Sequence, residues 1–165
     1  GLNGITHHFH NIIRDRLIPL KDKDKLRPVI LNSWEGCYLT FDTATIIAYI
    51  DAIADMGIEL FVLDDGWFGR RDDDTQSLGD WVVNKDKIDL HQVIQHCHNK
   101  GLQFGLWFEP EMISPRSKLY EEHPDWCIHV PGRTRNQARK QLILDEPLTL
   151  IPNFSMTCLA VKAVL

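Results

Sequence analysis

Four short runs with apolar middles, spaced by amphipathic stretches, organise this chain and are expected to be strands: Val29 to Trp34, Glu59 to Asp65, Leu102 to Pro110 and Gln141 to Asp145. An apolar run that does not alternate with polar residues suits a strand buried on both faces. Between the first two runs, Ile46, Ile47, Ile50, Ile53 and Ala54 fall on one helical face. Asp42 is placed to cap that helix and Gly57 to stop it. Between the second and third, Asp89 precedes Leu90, Val93, Ile94 and Cys97, again one face, with Gly101 as the stop. A shorter helix from about Pro115 to Glu122 leads towards the fourth run. The pattern predicts βαβαβαβ, with parallel strands and right-handed crossovers.

Every run ends on polar or aromatic residues. The first closes on Asn32-Ser33-Trp34, the second on Asp64-Asp65-Gly66-Trp67, the third on Trp107-Phe108-Glu109-Pro110-Glu111 and the fourth on Asp145. Two adjacent carboxylates at the end of a buried strand cost desolvation energy and contribute nothing to a core. A ligand accounts for them, because parallel α/β sheets and barrels bind at the carboxyl ends of their strands. Residues 66 to 87 form a long loop with two Trp and one Phe, which predicts an ordered segment. Asp72 to Asp74 lack the Asp-x-Asp-x-Asp-Gly spacing of a calcium loop, so this tip is expected to make local Arg–Asp contacts.

Residues 1–25 are expected to be a connector, with one or two short amphipathic turns around Phe9, Ile12, Ile13 and Leu17. Residues 26–145 carry the α/β pattern, and 146–165 are an atypical apolar tail with two prolines. A complete eight-stranded barrel takes about 250 residues, so the 165 here suit roughly the first half of a (β/α)8 TIM barrel. A doubly wound dinucleotide fold is disfavoured, since no Gly-x-Gly-x-x-Gly follows the first strand. The absence of an initiating Met suggests a piece of a longer chain, and no leader is visible.

A net charge of −5 argues against a nucleic-acid binder, and no run reaches the roughly 18 apolar residues of a membrane span. Cys37, Cys97, Cys127 and Cys158 lie far apart, as small buried hydrophobes do in a reducing, cytoplasmic protein. Neither the cysteines nor the eight His have the spacing of a metal site. What remains is carboxylates beside indoles. Ionised carboxylates accept hydrogen bonds from hydroxyls, and an indole stacks on the apolar face of a pyranose. Asp64 and Asp65 with Trp34 and Trp107 therefore predict a sugar pocket, whereas Trp81 and Trp126 are assigned to packing. Two chain neighbours cannot readily straddle a scissile bond as a retaining glycosidase's carboxyl pair does. They are expected to grip substrate.

Several motifs, in order, closely resemble the microbial α-galactosidases of glycoside hydrolase family 36. They are Asn32-Ser33-Trp34-Glu35, Leu63-Asp64-Asp65-Gly66-Trp67-Phe68-Gly69, Arg71-Asp72-Asp73-Asp74-Thr75, Gly79-Asp80-Trp81 and Gly105-Leu106-Trp107-Phe108-Glu109-Pro110-Glu111-Met112. His123-Pro124-Asp125-Trp126 and His129-Val130-Pro131-Gly132-Arg133 continue the match. The resemblance implies a (β/α)8 catalytic barrel, and retaining hydrolysis of terminal α-1,6-linked galactose without metal or organic cofactor, often by a tetramer. It implies that Asp64 and Asp65 bind the galactose 4- and 6-hydroxyls, that Trp34 and Trp107 wall the pocket, and that Arg139 is the pocket arginine. The family's nucleophile lies in a Lys-Trp-Asp motif on a later strand, which is absent here. No catalytic residue is therefore expected among these 165, and the chain alone is expected to be inactive. A non-catalytic galactose-binding or interaction module derived from the same barrel is the alternative.

Overall fold

The computed structural model describes residues 1–17, 25–129, 131–132 and 142–143. Three parallel strands form the central sheet: β1 (Ile30–Asn32), β2 (Leu60–Leu63) and β3 (Gln103–Leu106), in that spatial order. The register places Leu31, Phe61 and Phe104 side by side, and Asn32, Val62 and Gly105 one step further on. Side chains alternate across a sheet, so Leu31, Phe61, Leu63 and Phe104 share one face while Asn32 and Val62 share the other. Gly105 lets β3 lie close to β2, since a Cβ there would come 3.3 Å from Val62 Cγ2.

A helix follows each of the first two strands, after a loop. A single turn α1 (Trp34–Cys37) precedes α2 (Thr43–Ile53), and α3 (Leu90–Asn99) links β2 to β3. The two long helices begin where expected: Asp42 Oδ1 accepts the Thr45 N–H, and Asp89 Oδ1 accepts the Gln92 N–H. Ile46, Ile50 and Ile53 of α2, and Val93 and Cys97 of α3, are buried in the core with Phe61, Leu63 and Phe104. That core lies between the helices and one face of the sheet. The strand-end residues stand beyond it.

Four expectations are corrected. The segment before Pro19 is more than a turn or two: a helix over Leu2–Ile12 continues as a π-helical turn over Ile13–Leu17, with Leu2, Ile5 and Phe9 exposed. The first strand stops at Asn32, because the chain bends into the α1 turn at Trp34. The third is also shorter, ending at Leu106 before Pro110 can disturb it. The fourth run does not extend the parallel sheet. Leu142–Ile143 (β5) pairs antiparallel with Met112–Ile113 (β4), a two-residue ribbon in which Ile113 and Leu142 are buried. A last short helix, α4 (Lys118–Glu122), is capped by Ser117. The tail 146–165 and Arg139 lie outside the described residues.

Candidate functional site

Asp64 and Asp65 leave β2 where its hydrogen-bonded ladder ends, and each is fixed by different donors. The Asp64 N–H donates to Ser33 Oγ at 3.0 Å. Its carboxylate accepts from Asn32 Nδ2 and from the Asp65 N–H at 2.8 Å. Asn32 holds a second group as well, its Oδ1 accepting the Trp34 N–H at 2.8 Å. One amide side chain thus links the end of β1 to both Asp64 and the turn carrying Trp34. Asp64 and Asp65 are 9% and 6% exposed, so their unused lone pairs face one restricted opening.

Asp65 is held by a residue that the sequence assigned to the loop tip. Arg71 turns inward and is buried; its Nε donates to Asp65 Oδ1 at 2.9 Å and its Nη2 to Oδ2 at 2.8 Å. Nη1 donates to the Gln76 carbonyl at 3.0 Å. The expected Arg–Asp contacts at the tip are therefore replaced. Asp73 accepts from the Thr75 backbone and hydroxyl and from Gln76, while Asp72 lies 3.8 Å from Lys87. The Arg71–Asp65 pairing spans six residues and had no periodic signal in the sequence. The close pair Gly69 and Ser77, both at positive φ, is the turn chemistry that makes it.

Lys87 fastens the same region from below. Its Nζ donates to the Leu39 carbonyl at 2.7 Å and sits 4.4 Å from the centroid of the Phe41 ring. Burial pushes its pKa down, and the neighbouring Asp72, Asp65 and Cys37 oppose that shift. Gly66, at φ +104°, keeps the turn thin here, since a Cβ would meet Leu39 Cδ2 at 3.0 Å and Lys87 Nζ at 3.3 Å. The α1 turn is locked from the other side. Tyr49 Oη of α2 donates to the Gly36 carbonyl at 2.6 Å, and Trp34 packs edge-on against Tyr38 with centroids 5.2 Å apart.

Trp107 follows β3 and is half-buried, packed on Phe68, while its carbonyl accepts from Trp67 Nε1 at 3.1 Å. Trp81 is buried in the same aromatic cluster with Trp67 and Phe68, consistent with a packing role. Trp126 is half-buried and stacks on His123, centroids 3.8 Å apart.

Trp34, Asp64, Asp65 and Trp107 come together in one cavity of about 640 Å³, joined by Glu109 and by Arg71 behind Asp65. That volume is typical of a small-molecule site. Arg139, the fifth residue singled out in the sequence, lies outside the described residues. Among the described residues no group of His, Cys, Asp and Glu is arranged to hold a metal ion, and no helix is long and apolar enough to cross a membrane. Fixed carboxylate acceptors between indole walls suit a polyhydroxylated ligand.

Comparison with known proteins gives the same direction. The family model described as Melibiase matches residues 1–162. The α-galactosidase AgaA of Geobacillus stearothermophilus is 50% identical over 147 residues, covering 88% of this chain and 20% of that protein. Crystal structures of AgaA variants in complex with raffinose and with stachyose match at TM-scores of 0.79 and 0.78, each at 50% identity over 88% of this chain and 20% of that one. The α-galactosidase structure from Lactobacillus brevis covers 99% of this chain and 22% of its own at 39% identity, with a TM-score of 0.79. The chain spans about a fifth of the length of the relatives it matches.

Proposed function

The chain belongs to the melibiase family, among the glycoside hydrolase family 36 α-galactosidases, and we propose that it forms the galactose-gripping part of such an enzyme's catalytic barrel. In this reading residues 26–145 supply roughly the first half of a (β/α)8 barrel. Residues 1–25 lead in from a preceding domain, and 146–165 are an atypical tail. The sequential order β1-β2-β3, with α2 and α3 packed in one core against one face, supports a closing barrel. A doubly wound sheet instead reverses its strand order at the binding crevice.

The observation that carries the reading is the shared cavity of Asp64, Asp65, Trp34 and Trp107 at the carboxyl ends of parallel strands. Asp64 and Asp65 accept the 4- and 6-hydroxyls of galactose, Trp34 and Trp107 form the walls, and Arg139 completes the pocket. The whole enzyme releases terminal α-1,6-linked galactose with retention of configuration, from oligosaccharides of the raffinose and stachyose type, and assembles as a homo-oligomer. Relatives solved with those two sugars support the substrate class.

The 165 residues contain no Lys-Trp-Asp, the motif that holds the nucleophile in the resembled family. They therefore grip the sugar without cleaving it. The test is a ¹H–¹⁵N NMR titration of the chain with galactose, with glucose as control. Galactose is expected to shift resonances of the 32–34, 64–71 and 107–109 segments selectively, and 4-nitrophenyl α-galactoside is expected to remain uncleaved. A folded chain that binds neither sugar, or both equally, would overturn the reading.

A further inference from the structure

We infer that Arg71 is a positioning residue: it aims Asp65 into the cavity and so sets the preference for galactose over its 4-epimer, glucose. The inference rests on the galactose reading above and goes beyond it, since Arg71 stands behind the carboxylate and does not itself need to touch sugar. The evidence is the completeness of its engagement. Nε spans both Asp65 oxygens, at 2.9 Å to Oδ1 and 3.1 Å to Oδ2, Nη2 reaches Oδ2 at 2.8 Å, and Nη1 is tied to the Gln76 carbonyl at 3.0 Å. The side chain is 2% exposed. A guanidinium fork fixes the plane of a carboxylate and engages both oxygens from its own side. The remaining lone pairs then point in set directions.

The loop is built to deliver this fork. At Gly69, φ +53°, an added Cβ would lie 2.7 Å from Ser77 Cβ, so the two sides of the loop touch. Ser77 Oγ accepts the Arg70 N–H at 2.9 Å, and Arg116 donates to Thr75 Oγ1 at 3.0 Å and to Gln76 Oε1 at 3.3 Å. Asp64, by contrast, is aimed by Asn32 and by the Asp65 amide. The two carboxylates are therefore oriented by different side-chain donors, Asn32 for Asp64 and Arg71 for Asp65. Loss of the Arg71 fork frees Asp65 to rotate while Asp64 stays in place. A ligand that must meet both acids at once loses most; a ligand that meets only Asp64 loses little. A Lys at 71 keeps the charge as a rotatable point donor but cannot impose the plane.

The experiment uses the 165-residue chain as Arg71→Lys, Arg71→Gln and Asp65→Ala, titrated by NMR with galactose and with glucose. The same spectra report whether each variant is folded. Arg71→Lys is expected to bind galactose about tenfold more weakly, the scale of one charge-assisted hydrogen bond, with the galactose-to-glucose ratio falling towards one. A lowered folded fraction alone would weaken both sugars equally and leave that ratio unchanged, so the ratio separates positioning from stability. Arg71→Gln is expected to do the same; if it does not fold, Arg71→Lys alone decides. A ratio retained in Arg71→Lys would overturn the inference while leaving the galactose site standing. Unchanged galactose binding in Asp65→Ala would instead sink the assignment of Asp65 itself, and the inference with it.

Discussion

A carboxylate and a guanidinium buried together stabilise a fold only as a pair. Arg71 and Asp65 are 2% and 6% exposed and joined at 2.8 Å, so removing the guanidinium leaves a desolvated anion without its hydrogen-bonded partner. Arg71→Met is expected to cost about 3–5 kcal/mol in urea unfolding, far more than any exposed ion pair. Cys97 is the contrasting buried group. Burial alone pushes its thiol from 9.0 up to about 11. The folded state therefore holds that proton more tightly than the unfolded chain. The stability this contributes is complete below pH 9 and is lost as the pH rises towards 11. At pH 8 the thiolate is about one part in a thousand. Peptide mapping after iodoacetamide should find Cys97 unlabelled in the native chain and labelled in urea. The sequence shows Asp64 and Asp65 plainly, because two acids at the end of an apolar run have no structural excuse. Arg71 was hidden because its neighbours, residues 70–74, look like a solvated charge tip. Only the fold reveals that Gly69 and Ser77 reverse the chain and send one of those charges inward.

The two long helices that follow strands are the most legible elements, since each carries its own start signal. Asp42 and Asp89 cap α2 and α3, and their first turns touch: Thr43 Oγ1 accepts the Asp89 N–H at 2.8 Å. Asp42→Ala and Asp89→Ala should each lose about 1 kcal/mol in urea unfolding. Thr43→Ala should lower stability in the same assay, because it removes the acceptor of the Asp89 backbone N–H. The α1 turn is held less visibly. A methyl at Gly36 would come 2.8 Å from Tyr49 Oη, the same atom that bonds the Gly36 carbonyl. Gly36→Ala is therefore expected to destabilise by about 1–3 kcal/mol and to weaken galactose binding by displacing Trp34. The β4–β5 ribbon escaped the sequence reading for a physical reason. A two-residue strand has no period, and Gln141 to Leu144 looks like any buried run until its antiparallel partner, Met112–Ile113, is known.

At the scale of the molecule, the arrangement of the first three strands was readable from apolar runs and capped helices, but what surrounds them was not. Among the described residues, the sheet face bearing Asn32 and Val62 carries no helix of the core and the outer side of β1 is an edge. Val29 and Ile30 are exposed at the start of that strand at 54% and 53%, and Leu26, shortly before it in the chain, at 96%. An unpaired apolar edge is a template for another strand. The amphipathic Leu2–Ile12 helix adds Leu2, Ile5 and Phe9 to the uncovered surface. In a closed barrel such an edge is covered, and the relatives are about five times longer than the part of them matched here. Taken alone, the 165 residues should self-associate. Sedimentation velocity is expected to show a weight-average mass that rises with concentration, and Ile30→Lys should lower it by placing a charge on the edge. If Ile30→Lys leaves the association unchanged and Phe9→Lys abolishes it, the helix rather than the sheet edge is the sticky surface. A chain that stays monomeric at high concentration would instead mean that its own remaining residues cover both.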